Sequence, residues 1–206
     1  LHRDISPRNI MLSRDGEVKL LDFGIALPLD AAAQGSIALA GSFPYMSPEQ
    51  ARGQALSGQS DIFSVGVVLW ELLTGQSLFR CADSKATLEA VMNAPIAAPT
   101  HLRADIPPAI DAAVMRALAR SLDERWQSAG ELAAELSRLV YQQAAPPNAR
   151  DVADLVARYA PALQSPTKRD DATAPSDGRG DATKPIASIG NLPPAAPVLP
   201  HTTPVP

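Results

Sequence analysis

Polar and apolar positions alternate in distinct rhythms along the chain. Two short apolar runs, Ile10 to Leu12 and Val18 to Leu21, flank Arg14-Asp15-Gly16-Glu17. Asp-Gly is a strong turn signal, so these residues predict a β-hairpin. No period persists from there to about Gln50, which predicts an irregular stretch. Helical spacing then predicts four helices, over Ser60–Thr74, Lys85–Asn93, Pro108–Arg120 and Ser128–Gln142. Gly75 suits a C-cap for the first, and Pro107-Pro108 suits the start of the third. A hairpin, a long loop and then helices is an α+β order.

Beyond Gln142 the pattern dissolves. Twelve of the 20 prolines fall between residues 142 and 206, among balanced charges and with Tyr159 as the only aromatic residue. Such a segment buries too little apolar surface to offset its ordering entropy, so a Pro/Ala-rich, largely disordered tail or linker is expected over 142–206. Within it Val152, Leu155, Val156 and Tyr159 recur at helical spacing after Asn148, a cap residue. A short helix over 149–160 is expected there, either solvated or docked on the domain or a partner. Residues 1–141 make up the folded part.

Composition narrows the function classes. The chain is 46% hydrophobic and only 4% aromatic, which predicts a core built mainly of Ala, Leu and Val. A net charge of −4 makes no electrostatic case for nucleic acid as a partner. Cys81 is the only cysteine, which removes disulfide frameworks and suits a reducing, cytoplasmic setting. The most apolar stretch, Val65 to Leu73, contains Glu71 and is too short to cross a bilayer.

Three motifs carry the chemistry. His2-Arg3-Asp4-Ile5-Ser6-Pro7-Arg8-Asn9 precedes the hairpin, Asp22-Phe23-Gly24 follows its second strand, and Ser47-Pro48-Glu49 comes after a further loop. Each tripeptide is weak alone, but their order, spacing and intervening hairpin together are specific. The chain resembles the C-terminal part of the kinase domain of bacterial eukaryotic-like serine/threonine protein kinases, over roughly residues 1–140. Further matches support this. Gly41-Ser42-Phe43-Pro44-Tyr45-Met46 is similar to the substrate-docking segment, with Ser42 where Thr is common. Asp61-Ile62-Phe63-Ser64-Val65-Gly66 is similar to the start of the buried central helix.

The resemblance implies ATP-dependent phosphoryl transfer to Ser/Thr hydroxyls of a protein substrate. Such transfer depends on positioning and charge neutralisation more than on covalent participation. Asp4 takes the place of the carboxylate that accepts or orients the substrate hydroxyl. Asn9 and Asp22 match the oxygen ligands of Mg2+. The resemblance also makes Asp61 an organiser of the catalytic-loop backbone, and Glu49 with Arg125 a buried ion pair. His2, Phe23 and Gly24 are structural, Gly24 because it lets the backbone turn sharply. Arg3 is of the kind that pairs with an activation-loop phosphate. Ser36, the sole hydroxyl residue between Ile25 and Ala40, is the candidate phosphosite. Trp70 and Trp126 read as packing residues.

The departures matter too. Ser6 stands where the family usually carries a Lys that contacts the transferred phosphate. Arg8 lies two residues on and either supplies the missing charge or is a solvated loop residue. No glycine-rich loop, strand Lys or partnering helix Glu is present, and Leu1 directly precedes the first motif. The chain is therefore expected to be part of a longer kinase, inactive by itself. The alternative is a pseudokinase-like regulatory or binding module, favoured by Ser6 and the missing N-terminal lobe and opposed by the presence of Asp4, Asn9 and Asp22. PxxP segments such as Pro194 to Pro197 lack flanking basic residues and read as plain linker.

Overall fold

A computed structural model describes residues 1–21, 42–142 and 146–163. Asp22, Phe23, Gly24, Ser36 and the expected disordered tail beyond residue 163 lie outside these described residues.

The hairpin forms as the turn signal predicts. Strands β1 (Ile10–Leu12) and β2 (Val18–Leu20) pair antiparallel, with Ile10 opposite Leu20 and Leu12 opposite Val18. Ser13 organises the turn, its hydroxyl accepting the amides of Asp15 at 3.2 Å and Glu17 at 3.0 Å. Gly16 has φ +82°, the left-handed region that glycine enters without cost. A Cβ there would also lie 1.7 Å from the carbonyl oxygen of Ala149. Glycine thus serves both the turn and the close approach of the chain's last described helix.

Seven α-helices follow among the described residues: α1 (Pro48–Ala51), α2 (Gly58–Thr74), α3 (Ser84–Asn93), α4 (Pro99–Leu102), α5 (Pro108–Ala117), α6 (Ala129–Tyr141) and α7 (Ala149–Leu163). Their ends follow from local chemistry. Ser57 and Ser60 form a reciprocal cap at the start of α2, and Gly75 ends it at φ +71°. Asp83 and Ser128 cap α3 and α6 by accepting backbone amides. The Arg120 guanidinium donates to the carbonyls of Ala90, Val91 and Ala94 and so satisfies the last turn of α3. Asn148 and Asp151 cap α7 reciprocally, at 2.8 and 2.7 Å. Among the four predicted helices, α5 ends three residues earlier than its apolar period suggests, at Ala117.

Two short helices were not legible from periodicity. One turn of α1 and one of α4 are too brief to show a repeat. Each begins at a proline, Pro48 and Pro99, whose fixed φ suits a first helical position. The Ser47-to-Gln50 capping box was a local signal for the first.

Helix α2 lies at the centre and packs on α5, α6 and the 3-10 turn Phe43–Tyr45. Its Ile62, Phe63, Ser64, Gly66, Val67, Val68 and Trp70 are all buried. A Cβ on Gly66 would come within 3.0 Å of the Ala117 Cβ and 3.1 Å of Leu118, so its absence lets α2 and α5 close on each other. The core is built mainly of Val, Leu and Ala, as expected, with aromatic rings gathered at one place in it. Tyr45, Phe63, Trp70 and Phe79 sit in one cluster with Val67, Val68, Val91, Val114 and Leu118. Phe63 and Phe79 stack with centroids 6.1 Å apart. Burying these large rings together removes much apolar surface from water. Trp70 and Trp126 pack as expected, and their indole nitrogens donate to the carbonyls of Ala97 at 2.8 Å and Ala113 at 3.0 Å. No helix among the described residues is long and apolar enough to cross a membrane.

Candidate active site

The loop from His2 to Asn9 is held from below by α2. Asp61, in the first turn of that helix, accepts the backbone amide of His2 at 2.7 Å and that of Arg3 at 2.8 Å. A carboxylate is suited to the task because each oxygen takes one amide in a charge-assisted bond. The grip coincides with local strain. Arg3 has φ +72°, the only non-glycine residue in that region among those described. A side chain in the left-handed region costs about 1–3 kcal/mol and persists where its surroundings over-determine it. Gln50 adds a third hold, donating from its side chain to the Arg3 carbonyl at 2.8 Å.

The His2 ring is buried and bridges two segments. Its Nε2 lies 3.0 Å from the Leu21 carbonyl, while Nδ1 accepts the Asp4 amide at 3.4 Å. These partners favour the Nε2–H tautomer. Leu21 is also tied to the loop by its amide, which donates to the Asn9 carbonyl at 2.7 Å. The residue immediately before Asp22 is therefore anchored twice to the loop that carries Asp4 and Asn9.

Asn9 closes the loop on itself. Its side-chain nitrogen donates to the Asp4 carbonyl at 2.8 Å and to the Asp4 carboxylate at 2.9 Å. The amide nitrogen is thus spent on Asp4, which leaves the amide oxygen as the donor for a hard cation. Among the described residues no cluster of three His, Cys, Asp or Glu side chains forms a metal site. The expected ligand pair is represented there by Asn9 alone.

Arg8 reaches across to Ser42, at the start of the Phe43–Tyr45 turn. Its Nη2 donates to the Ser42 hydroxyl at 2.7 Å, in an exposed contact. Ser6 contributes nothing comparable. It is completely buried, and its hydroxyl has no hydrogen-bond partner among the described residues. Arg3, Asp4, Ile5, Ser42, Tyr45 and Met46 line a shallow depression beside the loop.

The 3-10 turn Phe43–Tyr45 hangs from α2 by groups that sequence reasoning missed. Ser64 donates to the Tyr45 carbonyl at 2.6 Å. The Tyr45 hydroxyl donates to Glu71 at 2.7 Å, and Glu71 also accepts from Ser77 and from the Leu78 amide. Burial first, and then the Glu71 carboxylate, pushes the Tyr45 hydroxyl's pKa upward and keeps it a donor. Ser64 and Glu71 were polar interruptions in the most apolar helix, and buried polar groups need partners. Glu49 and Arg125 form the expected buried ion pair.

A family model described as protein kinase domain matches residues 1–143. The chain is 41% identical over 149 residues to serine/threonine-protein kinase PknB of Mycolicibacterium smegmatis, covering 70% of this chain and 24% of that protein. It is 38% identical over 146 residues to a probable serine/threonine-protein kinase PknB of Corynebacterium glutamicum, covering 68% and 23%. It is 38% identical over 152 residues to serine/threonine-protein kinase PknB of Mycobacterium tuberculosis, covering 68% and 23%. The chain spans about a quarter of the length of these curated relatives.

Proposed function

Because this chain belongs to the protein kinase domain family, we propose that the protein carrying it transfers the γ-phosphoryl group of ATP to Ser or Thr hydroxyls of a protein substrate. The observation that carries this reading is the doubly held Asp4. Asn9 grips its carboxylate at 2.9 Å, and Asp61 fixes the backbone of the two residues before it. A loop kept only for binding would not require a carboxylate fixed at that point.

In the proposed step the substrate hydroxyl lies against Asp4. Its oxygen bonds to the γ-phosphorus as the bond from that phosphorus to the β-bridging oxygen breaks, and ADP leaves with that electron pair. The hydroxyl proton passes to an Asp4 oxygen. Asn9, through its free amide oxygen, and Asp22 are the side chains that would hold Mg2+, whose hard oxygen preference suits both. When bound, that ion neutralises charge on the phosphates. Arg8 adds a permanent positive charge beside the loop, where position 6 offers none. Arg3 is proposed to pair with an activation-loop phosphate, with Ser36 as its candidate acceptor.

The test uses the full-length protein and labelled ATP with a generic protein substrate. Asp22→Asn should abolish magnesium-dependent transfer. Asp4→Asn should cut transfer at least a hundredfold, at the low end of what a positioned acid–base group contributes (about 10²–10⁴-fold), while nucleotide affinity stays near wild type. A wild-type protein that binds nucleotide without transferring phosphate would establish the binding-module alternative that Ser6 suggests.

A further inference from the structure

We infer that Arg8 acts as a positioning residue that clamps Ser42 and so sets the platform on which a substrate's acceptor segment meets Asp4. The inference rests on the functional reading above and extends it from the reacting groups to substrate placement. Arg8 and Asn9 are adjacent in one 3-10 turn, Pro7–Asn9, whose first residue is a conformationally fixed proline. Asn9 holds the Asp4 carboxylate at 2.9 Å, and Arg8 holds Ser42 at 2.7 Å. One rigid turn therefore grips the reacting carboxylate with one side chain and the docking segment with the next.

Ser42 is placed to receive this grip. It occupies the N-cap position of the 3-10 turn Phe43–Tyr45, yet its side chain makes no capping bond. Its hydroxyl instead faces the guanidinium. Behind it Phe43, Pro44 and Tyr45 are buried, with Tyr45 tied to Ser64 and Glu71, so a displacement of Ser42 is passed to a stiff segment. The shallow depression that Ser42 shares with Asp4, Tyr45 and Met46 is where that placement would be felt. Position 6 does not compete for the role, because Ser6 is fully buried and its hydroxyl touches no partner among the described residues. A guanidinium suits the task better than an ammonium, since its planar fork reaches a neighbouring segment while keeping a fixed orientation.

The clamp makes a prediction that a purely electrostatic role for Arg8 does not. Ser42→Ala leaves every positive charge in place and removes only the contact. In the full-length protein, Arg8→Ala and Ser42→Ala should each raise the KM for a peptide substrate about tenfold, the ratio that about 1.4 kcal/mol produces. The double variant should raise KM no further, and KM for ATP should stay unchanged in Ser42→Ala. Hydrogen exchange at the Tyr45 and Met46 amides should quicken equally in both single variants. Exchange can be read whether or not the protein transfers phosphate. A wild-type protein without kinase activity thus overturns the functional reading, while unaltered exchange in Arg8→Ala overturns the clamp. An unchanged peptide KM in Ser42→Ala, or fully additive effects in the double variant, would also overturn it.

Discussion

Arg125 and Glu49, 76 positions apart, meet in a buried pair in which two guanidinium nitrogens reach two carboxylate oxygens at 2.8 and 3.3 Å. The same guanidinium also donates to the Gln59 and Ala119 carbonyls, both at 2.8 Å, and lies over the Phe63 ring. The pair thereby ties the Ser-Pro-Glu helix and the start of the central helix to the segment before α6.

Removing one partner should be much costlier than removing both. Arg125→Met leaves Glu49 buried without its cation and should lower unfolding free energy by about 3–5 kcal/mol. Combining it with Glu49→Leu should recover a large part of that loss. Denaturant midpoints of the three variants check this, and a double variant as unstable as the single would contradict it.

Acid should release the same pair. Burial by itself pushes the Glu49 carboxyl up. Hydrogen bonds from Arg125, its own backbone and Ser60, with the attraction of Arg125, outweigh that and leave its pKa below the ordinary 4.5. A lowered folded-state value means that the pair's stabilisation is complete above the unfolded carboxyl's pKa and is lost as pH falls through the lowered one. Stability measured on descending through pH 4.5 should therefore fall more steeply for the wild type than for Glu49→Gln. Parallel curves would exclude Glu49 as the titrating group.

Asp61 should matter to turnover although its carboxylate holds only the backbone of the loop. Asn at this position keeps one acceptor oxygen, so either the His2 or the Arg3 amide loses its partner. A hydrogen bond to a charged group contributes about 1.5–3 kcal/mol, and the strained Arg3 backbone would be free to relax. Asp61→Asn should lower kcat about tenfold or more with nucleotide affinity nearly unchanged, because 1.4 kcal/mol is about a factor of ten. Steady-state kinetics with a nucleotide titration test this.

Ser6→Ala should be harmless. The hydroxyl is fully buried and unpartnered among the described residues, so removing it deletes a desolvated polar group and nothing else. Stability should stay level or rise by about 1 kcal/mol. A loss of more than about 1 kcal/mol in denaturant unfolding would mean that the hydroxyl has a buried partner after all.

Gly16→Ala should loosen α7. The substitution strains a left-handed residue by about 1–2 kcal/mol and drives a methyl group into the Ala149 carbonyl. Amides in the first turns of α7 should exchange faster while those of α2 stay protected. Equal protection of α7 in both proteins would show that the hairpin turn does not support it.

The sequence by itself determined what local chemistry and spacing can encode. The Asp15-Gly16 turn made the hairpin, and the apolar period with Gly75 and Pro108 marked the long helices. The motifs around Asp4 and Asn9 carried the identity of the site through the resemblance, as did the roles expected of Asp61, Glu49 and Arg125. Only the tertiary structure decided the contacts that no period records. Arg8 meets Ser42, Gln50 reaches the Arg3 carbonyl, and Glu71 gathers Tyr45, Ser77 and Leu78, because folding brings together polar groups whose separation along the chain carries no repeat. Composition could not place the aromatic residues either. Where a few large rings go depends on which positions become buried on all sides, and that is fixed only when α2 is enclosed by its neighbours.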